Sequence, residues 1–183
     1  LQDPQRKIIR FNHKNIGRHL KTIGHVPLPP YIKRPDTPLD QEYYQTVYAR
    51  SAGSVAAPTA GLHFTRPLLK RLEALGHRMV NVTLHINYAT FKTVREEDIT
   101  RHRMHEEHYA VSKGSSLAIK KARKDGRKIV CVGTTSSRVL ETLAGQDRER
   151  SRPFPAPLKG ATDIFIYPGY QFRVVDALIT NFH

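Results

Sequence analysis

The sequence predicts an α/β protein with a mixed, largely parallel sheet covered by helices. Three observations carry that expectation: apolar strand-like and helix-like segments alternate from residue 54 onward, glycines close the helical segments at 76, 126 and 145, and the 183 residues suffice for one substantial core.

The elements follow in order. Lys7 to Phe11 reads as a short strand. Asn12 is placed to cap a basic helix from His13 to Ile23, with Ile16, Leu20 and Ile23 on one face and Gly24 ending it. Prolines 27, 29, 30 and 35 impose an extended run. Thr37-Pro38 is a cap and first-turn pair for a second helix through Tyr48, whose Leu39, Tyr43 and Val47 line up to dock on a sheet. SVAAP (54–58) reads as a buried strand. Thr65 caps a helix with Leu68, Leu69, Leu72 and Leu75 inward and Gly76 at its end, and RMVNVTLHI (78–86) is a strand. EEHYAVS (106–112) is a strand, SSLAIKKARKDG (115–126) a helix, KIVCVG (128–133) a buried strand and TSSRVLETLAG (135–145) a helix. The charged, Pro-rich stretch from Gln146 to Lys159 is a loop, and residues 162–182 read as two strands around Pro168-Gly169.

Composition narrows the function classes. Cys131 is the only cysteine, so an internal disulfide and a Cys-based zinc site are excluded, in keeping with a reducing compartment; the cytoplasm is expected. No apolar run approaches the length of a membrane span, and the start lacks the apolar region of a signal peptide. Thirty Lys plus Arg against sixteen Asp plus Glu leave a net charge of +14. Such an excess attracts polyanions, and a nucleic acid is the natural partner; general solubility is the other reading.

Four loops at strand ends carry polar residues that could act on a ligand. In VGTTSSRVLE (132–141), a strand runs into Gly133, and Thr134, Thr135 and Ser136 open a helix whose free N–H groups suit an anion, with Arg138 adding charge. Plain helix capping is the alternative. HRMHEEHY (102–109) holds His102, His105 and His108 beside Glu106 and Glu107; it lacks the HExxH zinc spacing, so no metal is expected, and acid/base work or a solvated strand entry remain. PTAGLHFT (58–65) puts a slim turn before His63, and TLHINYATF (83–91) brings His85, Thr90 and Phe91 to a strand end. One sheet edge would gather these loops into a single crevice.

Those motifs, together with GHVPLPPYIKRPD (24–36), DQEYYQTVYA (40–49), FIYPGYQF (165–172) and VVDALITNFH (174–183), resemble the S-adenosylmethionine:tRNA ribosyltransferase-isomerase family of queuosine biosynthesis over nearly all of the chain after Lys21. The resemblance implies transfer and isomerisation of the ribosyl moiety of S-adenosylmethionine, as co-substrate, onto the aminomethyl group of a 7-deazaguanine at the tRNA wobble position. Epoxyqueuosine-tRNA is the product, and adenine and methionine leave. It implies a main α/β catalytic domain over 13–183, incomplete at its C-terminus, and a remnant of a small β-barrel domain at 1–12. The implied partners are tRNA and S-adenosylmethionine, without a membrane, and a monomer is expected. His63, His85, His102, His105 and Glu107 become the catalytic candidates. Thr59, Gly61, Phe64, Thr90, Phe91, Gly133, Thr134, Thr135, Ser136, Arg138, Glu141, Thr180, Asn181 and His183 become the substrate-binding ones. Glu107 and Glu141 would face the sulfonium, and the Thr134–Ser136 helix start with Arg138 the methionine carboxylate. Basic stretches at 6–21 and 113–128 would contact tRNA. One departure concerns LHINYATF, where the family has LHxGxGTF: Asn87 and Ala89 stand in place of glycines. Two rival classes are a non-catalytic RNA-binding module and another S-adenosylmethionine-dependent RNA-modifying enzyme such as a methyltransferase. The latter is disfavoured because no glycine-rich loop follows the first strand.

Overall fold

The computed structural model describes residues 10–87, 98–102, 104–146 and 158–181. Thr90, Phe91, Ala89 and His183 lie outside the described residues, as do residues 1–9, where most of the N-terminal strand and barrel remnant is expected; Arg10–Asn12 form no strand.

Five helices and five strands are described: α1 (Ile16–Ile23), α2 (Asp40–Tyr43), α3 (Arg66–Ala74), β1 (Thr83–His85), β2 (Glu107–Val111), α4 (Lys113–Lys124), β3 (Val130–Val132), α5 (Thr134–Gln146), β4 (Leu158–Thr162) and β5 (Ala177–Ile179). Short 3-10 turns occupy Thr59–His63 and Ile99–Arg101. The α/β class holds, but a largely parallel sheet does not. β1-β2-β4 is an antiparallel sheet in which Leu84 faces Tyr109 and Tyr109 faces Gly160. Only β3 and β5 run parallel, with Cys131 opposite Leu178. Strand-helix alternation predicts parallel neighbours when each crossover returns to the same sheet. Here the chain leaves β2 through α4 and enters a different sheet, so the rule does not apply.

α5 is the hub. It packs on β1, β3 and β4, and its Val139, Leu140, Leu143 and Ala144 are buried with Leu84, Tyr109 and Cys131 in one core. Each fully buried Leu or Val there contributes roughly 1.5–3 kcal/mol of transfer free energy. α5 thus ties the two sheets together and fixes where its own first turn points. Gly145 lies inside this helix and does not end it.

Local signals succeed at α3 and α4. The Thr65 hydroxyl accepts from the Leu68 N–H at 3.3 Å, and Gly76 and Gly126 end their helices in left-handed conformations. The apolar faces fare worse. Leu68 and Leu75 of α3 are exposed and only Leu69 and Leu72 are half-buried. α1 begins after Asn15 and not Asn12, and Leu20 and Ile23 are exposed. α2 is a single turn, so Leu39, Tyr43 and Val47 stay in solvent instead of docking on a sheet. Asp40 fixes its start. That carboxylate takes a bidentate Arg34 guanidinium at 2.7 and 2.8 Å plus the Thr37 N–H and hydroxyl, which fastens the start of the turn to the preceding loop.

Three strand expectations change. SVAAP forms no strand: the Val55 N–H donates to the Ile86 carbonyl, but Pro58 has no donor and the Ser54 hydroxyl bridges Leu84 and Ile86 in place of a ladder. Val130 in β3 is half exposed, so that strand is buried on one face only. At the C-terminal end, residues 163–176 form no strand, and Pro168-Gly169 sits in a turn closed by Tyr170 N–H to Tyr167 O at 3.0 Å. Leu158 and Lys159, expected in a loop, open β4.

Candidate functional site

The alternation of β2 sets the site. Glu107, Tyr109 and Val111 face the core while His108 faces solvent. A carboxylate therefore stands at the end of a core face, 2% exposed, and needs a counter-charge. Arg138 of α5 supplies it: Nη1 donates to Glu107 Oε2 in a buried ion pair, and Nε donates to the Ile164 carbonyl at 3.0 Å. Arg138 Nη2 is buried without a hydrogen-bond partner among the described residues. The other Glu107 oxygen accepts the Asn87 N–H at 3.3 Å, and the Asn87 side-chain amide donates to the Glu106 carbonyl at 2.9 Å. Asn87, read from sequence as a glycine replacement, is the residue that ties β1 to the entry of β2. No sequence signal pointed to that role.

One helical turn before Arg138 lies the start of α5. Gly133 adopts φ +83°, a conformation that favours glycine, and its N–H donates to the Ile179 carbonyl at 2.8 Å. Gly133 and Thr180 consequently lie together at the carboxyl ends of the parallel pair β3 and β5, where open sheets hold ligands. A side chain at Gly133 would meet Pro58, so the PTAGLHFT loop abuts the same spot. The first N–H groups of α5 have no intrahelical acceptor. The Ser136 hydroxyl is turned back to the Val132 and Gly133 carbonyls at 2.9 Å, which leaves Thr134 exposed and Thr135 on a cleft of about 460 Å³. Residues 53–58 and 82–84 share that cleft.

The histidines are not equivalent. His85 packs its ring over Gly53, where a β-carbon would come within 2.8 Å of Nδ1, and that nitrogen is buried without a partner among the described residues. His102 meets Phe165 edge-on at 4.9 Å, next to the carbonyl that receives Arg138. His105 and His63 are exposed, and neither lines the cleft. Gly61 is buried under Tyr48, whose hydroxyl would lie 2.0 Å from an added β-carbon; burial also raises the Tyr48 phenol above its ordinary pKa. Thr59 and Phe64 flank it, half-buried. Thr180 is exposed and Asn181 half-buried.

Glu141 serves the fold. Only 1% exposed, it accepts from the N–H groups of Arg173, Val174 and Val175 at 2.9–3.0 Å and from the Tyr170 hydroxyl at 3.1 Å. All four acceptor directions of the carboxylate are used, so the expected counter-charge to a sulfonium is here a brace for the segment that leads into β5. Cys131 behind it is buried, and desolvation pushes its thiol up to about 11. Among the described residues, no group of three or more His, Cys, Asp or Glu side chains could hold a metal ion, and no helix is long and apolar enough to cross a membrane.

Comparison with known proteins identifies relatives. A family model described as queuosine biosynthesis protein matches residues 1–183. An S-adenosylmethionine:tRNA ribosyltransferase-isomerase from Sulfurihydrogenibium sp. is 47% identical over 182 residues, covering 100% of this chain and 52% of that protein. One from Desulforamulus reducens is 52% identical over 164 residues, covering 90% and 46%. The crystal structure of an S-adenosylmethionine tRNA ribosyltransferase from Thermotoga maritima is 38% identical and superposes with a TM-score of 0.51, over 68% of this chain and 36% of that one. The chain spans about half the length of the curated relatives it matches. A match over every residue shows that the chain belongs to the queuosine biosynthesis protein family.

Proposed function

We propose that this chain provides part of an enzyme that transfers and isomerises the ribosyl moiety of S-adenosylmethionine onto an aminomethyl-deazaguanine at the tRNA wobble position. Epoxyqueuosine-tRNA forms, adenine and methionine depart, and the reaction takes place in the cytoplasm. Family membership and the names of the relatives support the reaction. The single structural observation that carries it is Arg138: clamped by Glu107 and the Ile164 carbonyl, it has one buried guanidinium nitrogen without a hydrogen-bond partner among the described residues, one turn from the start of α5.

In this reading the helix start at Thr134 and Thr135, with Gly133 allowing close approach, receives the methionine carboxylate, and Arg138 Nη2 adds a charged donor. Glu107 is already neutralised by Arg138, so its task is to orient that guanidinium. His63, His85, His102 and His105 are the candidates for deprotonating the carbon beside sulfur and protonating adenine; the His102 ring lies against Phe165, next to the carbonyl that receives Arg138. Thr59, Phe64, Thr180 and Asn181 are candidate contacts for the larger substrate, as are the buried Gly61 and, outside the described residues, Thr90, Phe91 and His183. No metal has a role.

The test is adenine release by the full-length protein, dependent on tRNA carrying the deazaguanine base, repeated with Arg138→Ala and His85→Ala. Methylated RNA in place of free adenine and methionine would reject the reaction. A non-catalytic RNA-binding role, which the net charge of +14 favours, is the second reading. It predicts tRNA binding without S-adenosylmethionine binding.

A further inference from the structure

The largest concentration of charge lies away from the candidate site. Residues 66–78 carry four Lys or Arg and residues 113–128 carry seven, against only Glu73 and Asp125. All of these cations are exposed. Asp125 is bound to Lys121 at 2.9 Å, so it offsets one of them.

Two contacts merge the segments into one surface. Arg127 Nη2 donates to the Gly76 carbonyl at 2.8 Å, and the Ser115 hydroxyl donates to the Asn81 carbonyl at 2.8 Å. The chain from Gly76 to Asn81 therefore runs alongside α4 from its C-terminal end to its first turn. The lengths are compatible: five extended steps reach about 17 Å, and the nine helical steps from Ser115 to Lys124 rise about 14 Å before the turn at Gly126 that carries the long Arg127 side chain. This places Arg78 on a ribbon flanking the lysines of α4, with the end of α3 beside Arg127.

The position is also informative. Lys128 precedes β3 and Gly133 follows it, so the basic surface adjoins the amino end of the strand whose carboxyl end opens on α5. Ile129 and the three residues of β3 separate them, about 17 Å over five steps. A polyanion lying on α4 would be within reach of the rim without occupying it.

We propose that α4 with the flanking 76–81 ribbon is a docking face for an RNA sugar-phosphate backbone, distinct from the rim that holds the reacting groups. The proposal rests on the RNA-acting reading above. Its contacts are to phosphates, so it positions the RNA and carries no sequence preference.

The test measures tRNA binding against salt concentration for the wild-type chain, for Arg78→Glu/Lys124→Glu, and for Lys33→Glu/Lys159→Glu, which changes the net charge equally elsewhere on the surface. The face variant should bind at least about tenfold more weakly at 0.1 M salt, with a salt slope shallower by about 1.4–1.8 for two lost phosphate contacts. The control pair should keep the wild-type slope, and circular dichroism should be unchanged in both. Equal weakening by the control overturns the proposal, as does unchanged binding by the face variant; either leaves the RNA-acting reading intact. No tRNA binding by the wild-type chain overturns both. Loss of binding to anionic phosphatidylserine vesicles with tRNA binding intact would assign the face to a membrane and reject an RNA site.

Discussion

Glu107 and Arg138, 31 residues apart in the chain, form a buried ion pair that locks the core face of β2 to the second turn of α5. A charge pair taken out of water is costly to break from one side, because the remaining ion has neither solvent nor partner. Glu107→Ala and Arg138→Ala are each expected to destabilise the protein by about 3–5 kcal/mol, and the double variant by clearly less than their sum. Urea denaturation of the three variants checks this. Additive effects would show that the two groups do not depend on each other.

The four donors on Glu141 predict a different signature. Glu141→Gln is nearly isosteric, yet its amide nitrogen would point donors at backbone N–H groups that need acceptors. Hydrogen bonds to a charged group contribute about 1.5–3 kcal/mol each, so a loss of at least 2 kcal/mol is expected. Amide exchange at residues 173–175 should accelerate more than at β2, which distinguishes a local brace from general weakening.

Cys131 is buried, and burial raises its thiol from 9.0 to about 11. A raised folded value favours the folded state fully below the unfolded value and loses that contribution as pH rises from about 9 through 11. Thiol titration of the native protein at pH 8 should therefore proceed far more slowly than in denaturant, and stability should decline across that alkaline window. Substitution by serine should reduce the decline and leave the part that the raised phenols of Tyr44, Tyr48 and Tyr170 contribute.

Asp40 gives the acid counterpart. Hydrogen bonds from the Arg34 guanidinium, then from the Thr37 N–H, hold its carboxyl well below the usual carboxylate range. The stability it contributes is present above the unfolded value of 3.8 and lost as pH falls through the folded one. Carboxyl NMR should show Asp40 still ionised when exposed aspartates have titrated, and Arg34→Met should return its midpoint toward the ordinary range.

These residues also mark what is readable in a sequence. The Thr65 cap and the helix ends at Gly76 and Gly126 depend on partners within five positions, and they are where the sequence places them. The antiparallel pairing of β2 with β4 joins residues some fifty positions apart, so alternation alone points to the wrong sheet. The apolar faces of α1, α2 and α3 have clear helical spacing, but spacing says which residues share a face and not whether a neighbour covers it. The same limit governs the site. Arg138 and Glu107 stand out by motif, whereas their bond to each other, and the diversion of Glu141 to three backbone N–H groups, come from packing around α5.

Asn87 carries that argument into the last prediction. Its backbone N–H meets Glu107 and its side chain holds the Glu106 carbonyl, so the two carboxylate residues at the entry of β2 are anchored by one neighbour. Asn87→Gly keeps the backbone donor and removes the amide. The cost is one neutral hydrogen bond, about 0.5–1.5 kcal/mol, together with the added freedom of glycine in the unfolded chain, about 0.5–1 kcal/mol. The ion pair itself should survive, because the N–H to Glu107 remains. Thermal melting should therefore fall modestly while the Glu107→Ala and Arg138→Ala coupling energy, measured in the Asn87→Gly background, stays unchanged. A collapse of that coupling would mean that the amide, and not the backbone donor, sets the orientation of Glu107.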